Sequence, residues 1–284
     1  MSLIFNEVEY TYNPGTSFEK KAVTDISFKI DDGDFVAIIG QTGSGKSTLI
    51  QMMNGLIKPS KGEIYYNGED IWDKDYSRKK LRGKVGMVFQ YPEHQLFETS
   101  VIKDVCFGPK NIGMKELDAQ ISAFEALKEV GVGDEFIDYS PLELSGGMKR
   151  RVAIAGVLAM KPEVIILDEP TAGLDPEGRN HILGLLKRLN EEKGITIVLV
   201  SHSMEDVAKY AHKVIVMNKG NMVAYDDTMK VFADKEIIDE AGLALPQMCM
   251  LYFGLAGKGI LLPDIPRDET DAYKMISDLY ENMN

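Results

Sequence analysis

GQTGSGKST, residues Gly40–Thr48, carries the strongest signal in the chain. It fits the pattern G-x-x-x-x-G-K-[ST] and lies between an apolar run ending at Ile39 and a segment of helical spacing from Lys46 to Asn54, which is the strand–loop–helix setting the pattern requires. Gly40, Gly43 and Gly45 allow a tight turn whose backbone N–H groups, with a helix N-terminus behind them, surround phosphate oxygens. Lys46 is expected to reach the β- and γ-phosphates of ATP and the Ser47 hydroxyl to ligate Mg²⁺. Gln41, Thr42, Ser44 and Thr48 complete the expected nucleotide cradle.

On either side of this loop, short apolar runs rich in β-branched residues predict buried parallel strands at Phe35–Gly40, Val85–Phe89, Val164–Asp168, Thr196–Val200 and Val214–Met217. Helical spacing recurs at Lys46–Asn54, Lys115–Val130, Met148–Met160 and Gly178–Glu192, and the alternation predicts an α/β fold. The run VIILDE, Val164–Glu169, ends in two carboxylates. Beside a phosphate loop, Asp168 is placed to hold Mg²⁺ through water and Glu169 to polarise the attacking water as a general base. An insertion from about Leu96 to Ser140 has a charged helical second half, and with the helix after it predicts a helical subdomain over about 96–160. Strand signals stop near Thr228, so an ATPase domain is expected over 1–228 and a C-terminal extension over 229–284. The extension begins with helix-like pieces at Met229–Ala233 and Lys235–Ala241, broken by Gly242 and Pro246.

Composition narrows the function classes. With 44 acidic and 32 basic residues the formal net charge is −12, which repels a polyanion over most of the surface, so no nucleic-acid partner is expected. The two cysteines, Cys106 and Cys249, are far apart in sequence and have no neighbours at metal-ligand spacing, so neither a disulfide framework nor a zinc site is indicated. MSLIFNEVEY does not read as a secretory signal. No run approaches the roughly 18 apolar residues of a membrane span. The most apolar stretch, Met248–Leu262, is interrupted by Gly254, Gly257, Lys258 and Gly259, so membrane contact is expected only through partners.

Between the loop and the end of the chain lies LSGGMKRRVAIAGVLAMKPEVIILDEPTAGLD, Leu144–Asp175, and here the chain resembles an ATP-binding-cassette (ABC) ATPase over about residues 3–226. The resemblance implies a P-loop NTPase fold that binds ATP and Mg²⁺. It implies that Tyr12 stacks on adenine, with Tyr10 the competing aromatic two residues away. Gln90 would be the glutamine that ligates Mg²⁺ or orients water, and His202 the histidine that hydrogen-bonds the γ-phosphate. Leu144–Met148 matches the signature segment and Asp175 the aspartate of the loop that follows. In such ATPases two cassettes close head to tail, so Ser145, Gly146, Gly147 and Asp175 would act in trans on the nucleotide held by the other subunit. Met148 stands where glutamine is common, which puts ribose contacts at that half-site in doubt while leaving Ser145 and Gly147 in place.

A narrower resemblance rests on FQYPEHQLFETSVIKDVCFGPKNIGM, Phe89–Met114, supported by Gly15–Lys21, NGLIKP at Asn54–Pro59, AGVLAMKPEV at Ala155–Val164 and SHSMEDVA at Ser201–Ala208. These segments are similar to the energy-coupling factor (ECF) transporter ATPases, the group that includes the cobalt-uptake ATPases, and most to the second of their paired ATP-binding subunits. Such a member energises uptake of a vitamin or transition-metal ion from the cytoplasmic face of the cell membrane. Its partners are a second ABC ATPase subunit (a paralogue or itself), a transmembrane coupling (T) protein and a membrane substrate-capture (S) protein. Gln95, Leu96 and Phe97 are then candidates for the groove that receives the coupling protein, against simple packing of Leu96 and Phe97 within the helical subdomain. Leu243–Leu255 is the candidate apolar contact between the paired ATPases, against packing on its own domain. The functions that compete are a soluble ABC ATPase remodelling a protein or nucleic-acid assembly, and a nucleotide switch without turnover, which Glu169 and His202 disfavour.

Overall fold

A computed structural model describes residues 2–283 of the chain. In chain order the elements are β1 (Ser2–Tyr12), β2 (Lys20–Asp31), β3 (Phe35–Gly40), α1 (Lys46–Met53), β4 (Lys61–Tyr66), β5 (Glu69–Asp70), α2 (Arg78–Lys84), β6 (Val85–Val88), α3 (Val101–Ile112), α4 (Glu116–Glu129), α5 (Gly146–Leu158), β7 (Val164–Asp168), α6 (Pro176–Lys193), β8 (Thr196–Val200), α7 (Met204–Tyr210), β9 (Lys213–Asn218), β10 (Asn221–Asp227), α8 (Thr228–Ala233), α9 (Lys235–Glu240), α10 (Gln247–Ala256) and α11 (Glu269–Met283). A 3₁₀ turn at Pro92–Gln95 joins β6 to α3.

The sheet strands are the apolar runs of the sequence, and they are apolar because both faces are covered. Phe35, Ala37 and Ile39 of β3 enter one core, while Val36 and Ile38 enter another. The same period of two divides Ile165 and Leu167 from Val164 and Ile166 in β7, and Ile197 and Leu199 from Val198 and Val200 in β8. Side chains of α3 to α8 cover the first face; α1 and the inner face of a second sheet cover the other. The main sheet has the order β10-β9-β3-β8-β7-β6, parallel except for β10, which turns back antiparallel on β9. This is the expected α/β fold of the P-loop type.

The second sheet, antiparallel in the order β2-β1-β4-β5, was not anticipated. Its long strands are irregular: the β1–β2 register shifts three times, and Glu7 and Asp25 adopt φ of 50° and 46°. Bulges of this kind break the alternation by which a half-buried strand is recognised. Helix α3 is unexpected for a different reason: it carries Pro109 in its interior, which in sequence reads as a helix breaker. The glycine-interrupted stretch near Met248 is also helical, with α10 starting directly after Pro246 and accommodating Gly254.

Register then sets the site. Ile38 of β3 and Asp168 of β7 both pair with Val200 of β8, so these strands end at one level. The segments that leave that edge carry Gly40–Thr48, Gln90, Glu169 and His202. In an open α/β sheet, the carboxyl edge is where ligands bind.

Candidate nucleotide site

The loop after β3 closes only because two of its positions lack a side chain. A Cβ on Gly40 would sit 2.2 Å from the Met217 carbonyl oxygen, and one on Gly45 would sit 2.4 Å from that of Ala22, with φ at 149° and 108°. The loop is therefore wedged against β2 and β9. Gly45 is the N-cap of α1 and offers no side-chain hydrogen bond, so no side chain competes for the first N–H groups of the helix. Ser44 Oγ is buried and has no hydrogen-bond partner among the described residues. An orphaned hydroxyl and an uncapped helix start fit an anion seated at this end of α1.

Lys46 is 6% exposed, and its ammonium donates to the carbonyl oxygens of Gly40 at 2.8 Å and Gln41 at 3.0 Å. Burial draws its pKa below the ordinary lysine value, against the opposing pull of the Glu169 and Asp168 carboxylates. Ser47 Oγ donates to Asp168 Oδ2 at 3.3 Å. Gln90 Nε2 donates to Glu169 Oε2 at 2.9 Å, and His202 Nε2 lies 2.8 Å from Glu169 Oε1, so one carboxylate is held from both sides. Glu169 itself, the residue after β7, has φ of 48°, a left-handed conformation uncommon for a residue with a side chain.

Of the two competing aromatics, Tyr12 is the one against the loop: its hydroxyl is 3.0 Å from Thr48 Oγ1. Tyr10 packs instead on the core between the sheets, its ring edge-on to Tyr12 at 4.8 Å. Ser145, Gly147 and Asp175 lie apart from the loop. With Met148, Gly178 and His181 they line a cleft of about 470 Å³ that no residue of Gly40–Thr48 lines. There Ser145 caps α5 by accepting the Met148 N–H at 3.3 Å, and Asp175 caps α6 by accepting the Gly178 N–H at 2.8 Å. Among the described residues nothing lies within 4 Å of a Cβ built on Gly146 or Gly147, so the start of α5 is sterically uncovered on that side. Met148 packs on the first core, which is a role glutamine would not take.

The ABC transporter family profile matches residues 23–172. An energy-coupling factor transporter ATP-binding protein, EcfA2, of Caldanaerobacter subterraneus subsp. tengcongensis is 51% identical, over 93% of this chain and 92% of its own length. The protein of the same description in Clostridium perfringens (strain 13 / Type A) is 47% identical over the whole of both chains. This chain belongs to the ABC transporter family, among its energy-coupling factor ATP-binding proteins. Solved structures of ABC proteins agree with that placement. One is cbiO1 from Clostridium perfringens, described as part of the ABC transporter complex cbiONQ; it is 43% identical with a TM-score of 0.72, covering 88% of this chain and 97% of its own. Another is a dimeric ATP-binding cassette in a post-hydrolysis state with ADP and Pi, 32% identical with a TM-score of 0.71, covering 80% of this chain and 98% of its own. As an ABC transporter ATPase, the chain carries the loop, the paired carboxylates and the signature cleft on one α/β core.

One residue that the sequence reading passed over stands out in this ABC fold. Arg150, two positions after Met148, is 3% exposed and bonded on several sides. A signal was present: Arg150, Ile154 and Leu158 fall at successive i, i+4 positions of α5, and all are buried. A cation on a core-facing stripe implies partners.

Proposed function

We propose that this chain binds and hydrolyses Mg·ATP as one of the paired ATP-binding subunits of an ECF-type importer, energising uptake of a vitamin or a transition-metal ion. The observation that carries the reading is Glu169 gripped between Gln90 and His202 beside the Ser47–Asp168 pair. In this reading Glu169 is the general base for the attacking water, His202 and Lys46 hold the γ-phosphate, and Gln90 reports its presence. Tyr12 and the loop Gly40–Thr48 hold the nucleotide. Bound Mg²⁺ would supply charge neutralisation between the β- and γ-phosphates, and the residues here that fit it are Ser47, Gln90 and, through water, Asp168. Among the described residues no group of three or more His, Cys, Asp or Glu side chains is placed to hold a metal ion, and a magnesium site completed by phosphates and water needs none.

Ser145, Gly146, Gly147 and Asp175 serve the nucleotide of a second ATPase subunit, which their separation from the loop supports. The chain divides into an ATPase domain over 1–228, with its helical subdomain at about 96–160, and an extension over 229–284. Its other partners are the coupling T protein and the substrate-capture S protein, met at the cytoplasmic face of the membrane. No described helix is long and apolar enough to cross a membrane, so attachment goes through those partners. Affinity purification of the tagged chain from detergent-solubilised membranes tests the assignment. Integral membrane proteins in constant ratio to the chain are expected, whereas recovery with only soluble proteins would favour a remodelling ATPase.

A further inference from the structure

The guanidinium of Arg150 joins three parts of the molecule. Its Nε and Nη2 donate to the two carboxylate oxygens of Glu93 at 3.1 and 2.7 Å, and its Nη1 donates to the carbonyl oxygens of Pro170 at 3.0 Å and Ala172 at 2.7 Å. Glu93 stands three residues beyond Gln90, in the 3₁₀ turn Pro92–Gln95. Pro170 follows Glu169 directly. Arg150 itself lies in α5, the helix whose N-cap is Ser145.

This arrangement has a physical use at Glu169. A glutamate at φ 48° is in a conformation that persists only where its surroundings over-determine it. Besides the side-chain contacts of Glu169 and the Leu174 N–H on the Thr171 carbonyl, the Glu169 N–H donates to the Val200 carbonyl at 3.1 Å, the Ala172 N–H donates to the Glu169 carbonyl at 3.2 Å, and Arg150 takes the carbonyls of Pro170 and Ala172. The two backbone bonds of Glu169 come from the neighbouring strand and the turn itself. Arg150 supplies the tie from a helix, and through Glu93 it extends that tie to the segment following Gln90. Burial would lift the Glu93 carboxyl, but the Arg150 hydrogen bonds and a backbone N–H outweigh it and leave it below the ordinary value, so Glu93 faces the guanidinium as a carboxylate near neutrality. A planar fork can bridge a carboxylate and two carbonyls at once, whereas a lysine ammonium presents its donors from a single point.

We propose that Arg150 is a positioning residue for ATP hydrolysis, clamping the turn that aims Glu169 to the segment that follows Gln90 and to the helix that opens at Ser145. The inference rests on the role proposed above for Glu169. It differs from a purely structural ion pair in one respect: the loss on disturbing it passes through the Glu169 carboxylate.

The test uses the assembly recovered from solubilised membranes, with this chain as wild type, Arg150→Lys, Glu169→Gln and the double variant, reading ATP affinity and single-turnover phosphate release with Mg²⁺. Arg150→Lys is expected to bind ATP as the wild type does and to lose on the order of tenfold to a hundredfold in rate, the scale of an ångström's misplacement of a reacting group. In the Glu169→Gln background the same substitution should remove nothing more, because residues acting as a unit are non-additive. Wild-type turnover in Arg150→Lys, an equal fold-loss in both backgrounds, or a rate loss that only tracks ATP affinity would each overturn the proposal. Should Arg150→Lys not fold, Glu93→Gln replaces it under the same two readings. Wild-type turnover in Glu169→Gln alone would remove the role of Glu169 and this proposal together, while a large loss there beside an unaffected Arg150→Lys removes only the proposal.

Discussion

Asp168 is held in a state that a cation would relieve. Burial first, and then the charge of Glu169, lift its carboxyl above the ordinary value, against Ser47, Lys46 and His202. A carboxyl raised in the folded state contributes stability that is fully present below the unfolded value, near pH 4, and lost as pH rises through the folded value. At pH 7 the ionised group therefore works against the nucleotide-free fold. Asp168→Asn is expected to raise the Tm of the nucleotide-free chain at pH 7, to change it little near pH 4, and to abolish Mg²⁺-dependent hydrolysis; calorimetry at the two pH values checks the sign, and a lower Tm at pH 7 would refute it. Gly45→Ala acts in the other direction. With φ of 108° and the Ala22 carbonyl 2.4 Å from the added Cβ, it should cost more than about 1 kcal/mol in urea unfolding and weaken ATP binding. That Asp168 and Glu169 lie beside the phosphate loop was legible in the sequence because they end an apolar strand, whereas Gln90 and His202, each just past the end of another strand, are expected there only through the resemblance to ABC ATPases. The Arg150 clamp was not legible, because its partners are two backbone carbonyls and a glutamate in a short turn, none of which leaves a sequence pattern.

Among the elements, the segment after Gln90 shows how a sequence stretch divides between packing and display. Leu96 packs on the first core, whereas Phe97 is 64% exposed and touches Phe107 edge-on at 4.9 Å. Buried Asp104 fixes the segment by accepting the backbone N–H groups of Phe97 and Glu98 at 3.4 and 2.9 Å. Leu96 thus takes the packing reading, while the exposed Gln95 and Phe97 stay candidates for the groove proposed to receive the coupling protein. Phe97→Ala should leave the Tm and ATP affinity of the chain unchanged while lowering recovery of membrane proteins in the copurification. Undiminished recovery would take Phe97 out of the contact. The parallel strands were readable because burial on both faces writes an unbroken apolar run. The antiparallel sheet was not, because its bulges, at Glu7 and Asp25 for instance, interrupt the period of two on which half-buried strands are recognised.

At the scale of the whole molecule, the extension after Thr228 is built into the first core. Phe232, Ile238, Ala241, Cys249 and Ile265 are buried there, and Leu243, Leu245, Tyr252 and Phe253 pack against it. Much of the stretch proposed for contact between paired ATPases therefore packs within the chain, while Met250 and Leu251 in that stretch, and Leu261 and Tyr273 beyond it, are among the large exposed side chains of the extension. The extension also touches the nucleotide loop, since Gln41 Nε2 donates to the Gly242 carbonyl at 3.2 Å. Cutting the chain at residue 228 should consequently expose core and lower the Tm sharply even at concentrations where no pairing occurs. Point substitution at Leu251 or Tyr273, followed by sedimentation, is the sounder probe of pairing. The sequence could mark where strand signals end, but an apolar helix covering a core and one covering a partner carry the same residue types. In the proposed function, hydrolysis turns on Glu169 activating water beside a filled phosphate loop, within an assembly that contains membrane proteins. Steady-state phosphate release by the assembly recovered from solubilised membranes, wild type against Glu169→Gln at saturating Mg·ATP, tests this most directly. The predicted result is a loss on the order of 10² to 10⁴ in rate with ATP binding retained; release at the wild-type rate from the variant would contradict it.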